Sequence, residues 1–96
     1  MNIGINNQSF GAKTLYKTYS NENFNRCRSD FESRAGKGED LEIIPLEDNN
    51  ELLVLDGADA TNFRNAVYGP ALVNMDPNYY ANLVSAYSRQ ARVTNY

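Results

Sequence analysis

Asp56 and Asp59 flank Gly57 directly after the aliphatic run Leu52-Leu53-Val54-Leu55. Carboxylates at the end of an apolar strand can move a proton or orient a water. With no histidine in the chain, the acid or base of any reaction falls to a carboxylate, Lys, Tyr or Cys27. Both aspartates also have a structural use, since Asp before Gly suits a turn and an acid in a first helical turn complements the helix dipole. The structural use is favoured, and an enzyme working through Asp56 and Asp59 ranks last among the functional readings.

Cys27 stands between Arg26 and Arg28, and neighbouring positive charge can lower a thiol's pKa enough to make it reactive. The same cysteine falls at helical spacing with Phe24 and Phe31, which turns it inward while the arginines splay to the sides. A buried thiol is the favoured reading. Arg34-Ala35-Gly36-Lys37-Gly38-Glu39 has a superficial likeness to a phosphate loop, but it lacks that loop's glycine spacing and its following Ser or Thr. It also follows a helix instead of preceding one.

Charge is divided unevenly along the 96 residues, whose net value is −3. Residues 1–38 hold six Lys/Arg against three Asp/Glu, and residues 39–96 hold three against nine. From Glu39 to Asp59 there are eight carboxylates and no base. Such a stretch repels nucleic-acid phosphates, and neither EDNNE nor DGADAT reproduces the ligand spacing of a calcium loop. Lys13, Lys17, Arg26, Arg28, Arg34 and Lys37 read as a solvated face partly neutralised by Glu22, Asp30 and Glu32. One Cys and no His cannot assemble a zinc site. The expectation is therefore no cofactor, no metal and no nucleic-acid partner.

The elements that position these residues follow from hydrophobic spacing. Residues 1–11 are polar and Asn-rich and read as a flexible amino-terminal arm, leaving 12–96 as a single domain. Ala12 to Tyr19 alternates as a strand, placed near a sheet edge by Lys13 and Lys17. Ser20 or Asn21 caps a helix over Glu22–Arg34, with Phe24, Cys27, Phe31 and Ala35 on one face and Gly36 and Gly38 ending it. Leu41–Leu46 and Glu51–Asp56 form a hairpin around Glu47-Asp48-Asn49-Asn50. In it Pro45 marks an edge strand, and the four aliphatics of the second strand mark a central one. Ala60, Phe63 and Val67 share a face of a short helix over Ala58–Val67, closed by Tyr68-Gly69-Pro70. Asp76-Pro77 starts a last helix running to Arg92, striped by Tyr80, Leu83, Val84, Tyr87 and Ala91, with Arg89 and Arg92 at the negative end of its dipole.

The result is an α+β fold in which helices pack on a small three-stranded sheet, in the order β-α-β-β-α-α. Pairing of the first two strands in parallel across the first helix would need a right-handed crossover. No apolar run approaches the roughly 20 residues of a membrane span, and the amino terminus lacks a secretory pattern, so a cytoplasmic setting without membrane contact is expected.

Seven tyrosines are the most informative feature for function, because Tyr joins large apolar area to a hydroxyl that seeks a partner and is enriched at interfaces. With Tyr80 in the core, Tyr79 lies at its margin. The candidate contact residues are Tyr79, Tyr87, Arg89 and Arg92 on the last helix and Glu47, Asp48 and Glu51 on the acidic hairpin. They point to a non-enzymatic protein-binding or assembly module, acting by self-association or by docking on another protein. The second reading is an acidic inhibitor whose carboxylates imitate phosphates in a basic groove.

Overall fold

The structure is a computed structural model that describes residues 11–69 and 77–96. The chain runs β1 (Ala12–Lys17), α1 (Asn21–Gly36), β2 (Leu41–Leu46), a 3-10 turn (Glu47–Asn49), β3 (Glu51–Asp56), α2 (Gly57–Tyr68), α3 (Pro77–Gln90) and β4 (Arg92–Asn95). Among the described residues these make an α+β fold with three helices and one mixed, four-stranded sheet ordered β2-β3-β1-β4.

The first helix forms where its spacing predicts. Ser20 adopts an extended backbone and its hydroxyl accepts from Asn23 N–H at 3.1 Å, satisfying one free amide of the first turn. Phe24, Cys27 and Phe31 are its buried residues. Gly38, at φ 106°, takes the left-handed backbone that turns the chain toward β2.

The hairpin is also as expected. Leu41 pairs with Asp56 and Leu46 with Glu51 in antiparallel register. Its turn tightens into the 3-10 helix, after which Asn50 takes the left-handed conformation at φ 53°. Pro45 lies on the edge strand. Leu52, Leu53, Val54 and Leu55 are all buried, as a strand covered on both faces requires.

Alternation along β3 sorts two cores. Leu53 and Leu55 face α2 and α3 in a cluster with Leu15, Ile44, Ala60, Phe63, Val67 and Val84. Leu52 and Val54 face α1, where they meet Phe24, Cys27 and Phe31.

Two expectations are corrected. First, the sheet has four strands, because the last helix ends at Gln90 and Arg92–Asn95 pairs in parallel with β1. Val93 and Thr94 are β-branched, and the unpaired edge of β1 offers them a ladder of hydrogen bonds that a further helical turn would leave unused. Arg92 thus belongs to a strand and not to a helix end.

Second, β1 is interior, between β3 and β4. Its lysines are tolerated because Lys13 reaches Asp59 at 3.0 Å and Lys17 sits exposed at the strand's end. β1 and β2 do not pair, so no crossover between them arises; β3 lies between them and is antiparallel to both.

Of the arm expected over residues 1–11, residues 1–10 lie outside the described residues, as do Pro70 and Asp76. Gly11 is tightly packed at φ 69°. A Cβ placed on it would come within 2.3 Å of the Asp56 carbonyl oxygen and 2.7 Å of the Asp59 amide nitrogen. Only glycine fits this close approach to the junction of β3 and α2.

Candidate functional site

The two aspartates that could have shared a reaction are on opposite sides of the sheet. Asp56 alternates with Val54 and so faces the α1 side, where its charge acts on Tyr16 and Arg34. Asp59, one turn into α2, points to the other side and binds Lys13 at 3.0 Å beside Tyr87. That ion pair is half-buried and pins the start of β1 to α2. Burial raises the Tyr87 phenol above its usual pKa, and the nearby Asp59 charge adds to the shift.

Cys27 is fully buried. Burial and then the charge of Asp30 push its thiol up to about 11, so it is a poor nucleophile at neutral pH.

The acidic stretch is largely neutralised. Arg34 donates to Glu39 through Nε at 2.9 Å and Nη2 at 2.7 Å. These bonds hold the Glu39 carboxyl below, and the Arg34 guanidinium above, their ordinary values. Arg64 of α2 binds both Asp40 and Glu42 and ties that helix to the start of β2. Arg28 binds Glu47 at 2.9 Å and Glu32 at 3.1 Å.

Five of the eight carboxylates between Glu39 and Asp59 thus have a basic partner. The exceptions are Asp48, Glu51 and Asp56, which make no ion pair among the described residues. The same pairing occupies much of the basic set on α1, where Arg26 also meets Glu22.

The candidate contact residues do not come together as one patch. Glu47 leans toward α1 through Arg28, Asp48 is exposed on the 3-10 turn, and Glu51 is half-buried in β3. Tyr79 is 41% exposed, Arg89 is exposed and donates to Ser85 Oγ at 2.8 Å, and Arg92 is exposed on β4. Tyr87 is half-buried, its ring edge-on to Phe63 at 5.7 Å. Tyr80 meets the same Phe63 ring at 6.0 Å yet remains 38% exposed, so it roofs the core without entering it.

What the structure does assemble is a groove of about 440 Å³ between the edge strand and α3. Ile44, Pro45 and Leu46 form one wall. The opposite wall is α3, through Tyr80, Val84 and the small side chains of Ala81, Ser85 and Ser88. Its surface is mainly apolar, and the hydroxyl of Ser88, one of its lining residues, is buried without a hydrogen-bond partner among the described residues. The groove exists because α2 and α3 meet on Phe63. At the end of the sheet the cover thins, so that Leu46 and Glu51 are only half-buried and Lys17 is exposed.

Comparison with protein-family models, curated proteins and solved structures finds no match.

Sequence reasoning missed this groove, although one signal was present. Ala81, Ser85 and Ser88 recur at four- and three-residue steps beside the large residues Tyr80, Val84 and Tyr87. Small side chains along one flank of a core-facing stripe leave space against a neighbour. Among the described residues no helix is long and apolar enough to cross a membrane, and no three His, Cys, Asp or Glu side chains gather as a metal site would need.

Proposed function

We propose that this chain is a non-enzymatic protein-binding or assembly module that holds an apolar side chain of its partner between β2 and α3. The observation that carries the reading is the apolar groove walled on one side by Tyr80 and Val84 and on the other by Ile44, Pro45 and Leu46. A concave apolar surface beside amphipathic aromatics is the usual anatomy of a binding hot spot.

The two other readings have less support. A phosphate mimic needs its carboxylates free and contiguous, whereas Glu39, Asp40, Glu42, Glu47 and Asp59 are each held by a base. A two-carboxylate enzyme needs Asp56 and Asp59 in one cleft, and the sheet stands between them.

The test is capture of a partner from a lysate of the source cells by the intact chain and by Ala81→Arg, read by mass spectrometry. Ala81 is exposed on the groove's flank, so a long cation there fills the groove with little cost to folding, within about 0.5 kcal/mol. A protein retained by the parent chain and lost with Ala81→Arg supports the reading. Equal recovery by the two would remove it.

A further inference from the structure

We infer that β4 exchanges between two copies of this chain, so that residues 92–96 of one copy dock on β1 and α1 of the other. The observations concern the way this segment is held and the way it is joined. β4 is an edge strand that pairs with β1 alone, Thr14 to Arg92 and Lys17 to Asn95, and its residues are mostly exposed. Its anchor is Tyr96, held at both backbone and side chain. Tyr96 N–H donates to the Lys17 carbonyl at 2.9 Å, and its own carbonyl accepts from Tyr19 N–H at 3.0 Å and from Asn23 Nδ2 at 3.2 Å. Its hydroxyl donates to Asp30 at 2.7 Å, and its ring stands edge-on to Tyr16 at 6.3 Å. Every one of these partners lies between Tyr16 and Asp30. The dock is therefore a self-contained receptor for a strand followed by a tyrosine, and a second copy offers the same strand.

The connection favours exchange. Ala91 alone links α3 to β4, its N–H returning to the Ser88 carbonyl at 3.2 Å. Around that corner Ser88-Arg89-Gln90-Ala91-Arg92 contains strong helix formers and neither Gly nor Pro, so the local preference is to continue the helix. Continuing it carries β4 away from its own β1 along the helix axis. The β1 ladder and the hydrogen bonds of Tyr96 then form again, unchanged in kind, on a neighbouring molecule. Exchange of an identical element is a low-cost route to a dimer, and a short hinge between conflicting preferences invites it. The groove shares only Ser88 with this corner, and the inference rests on other observations than the proposed function.

The experiment is interchain crosslinking of Thr14→Cys/Arg92→Cys, whose altered positions are partners in the parallel register. Unlabelled and ¹⁵N-labelled chains are mixed, incubated over a range of protein concentrations and then oxidised. The expected product is a disulfide joining the two segments from chains of different isotope content, in a fraction that rises with concentration. Ala81→Arg should leave that fraction unchanged, which separates failure of the groove reading from failure of this one. Crosslinks confined to single chains at every concentration would overturn exchange. So would the absence of any crosslink, since β4 would then not lie on β1. As a second measure, deletion of Ala91 removes the residue that lets β4 fold back. Sedimentation should show a dimer, and a folded monomer would contradict the inference.

Discussion

The two faces of the sheet are covered in different ways. On one, α1 lays Phe24, Cys27 and Phe31 over Leu52 and Val54, and Tyr16 and Tyr96 complete the cover. On the other, α2 and α3 share the work and meet on Phe63, which touches both Tyr80 and Tyr87. A single helix centred on its face leaves no seam in the middle. Two helices converging on one aromatic ring leave the edge strand β2 thinly covered beside α3, and that space is the groove. On the proposed reading, the α1 face serves stability and the α2/α3 face combines stability with binding of a partner.

The largest test of this contrast is Phe63→Ala. Phe63 is 1% exposed and is the point where α2 and α3 join, so its loss should cost about 3–5 kcal/mol in denaturant unfolding and should free Tyr80 and Tyr87. Phe31→Ala should fall at the lower end of that range, because Phe31 already lies near the surface beneath the Arg34 guanidinium, 4.9 Å from its ring centre. A greater loss for Phe31 than for Phe63 would reverse the assignment of the main core.

Next in size is Gly11→Ala. The left-handed backbone alone should cost roughly 1–2 kcal/mol, and the contact with Asp56 and Asp59 backbone atoms adds to it. Thermal unfolding would show this directly. An unchanged midpoint would mean that Gly11 does not close the β3–α2 junction.

A smaller effect separates the faces by pH. In the unfolded chain the Cys27 thiol ionises near its ordinary value of 9.0, whereas burial on the α1 face keeps it protonated up to about 11. The folded state then binds the proton that the unfolded state releases. This contribution is fully present below pH 9 and is lost as the pH rises through about 11. Wild-type stability should fall more steeply across that window than that of Cys27→Ala, measured by denaturant titration at each pH. Parallel curves would show that the thiol is not shielded.

Much of this arrangement was legible in the residues. The Phe24, Cys27 and Phe31 spacing identified α1, and the aliphatic pair of runs around Glu47–Asn50 identified the hairpin with its edge and central strands, because local periodicity and turn chemistry agreed there. β4 was hidden because Ser88–Arg92 has the composition of a helix and its strand character depends on an edge of β1 far earlier in the chain. The interior position of β1 was hidden for a similar reason, since nothing near Lys13 announces Asp59 as its partner. The groove joins residues of β2 to residues of α3 that are far apart in sequence. Only its small-residue flank left a trace, while the pairing of the acidic stretch with Arg28, Arg34, Arg64 and Lys13 left none.

The most direct measurement of the difference between the faces is amide hydrogen exchange on the chain with and without its captured partner. Added protection should concentrate in Ile44–Leu46 and Tyr80–Ser88 and spare Phe24–Phe31. Protection appearing along α1, with the groove segments unchanged, would contradict the account.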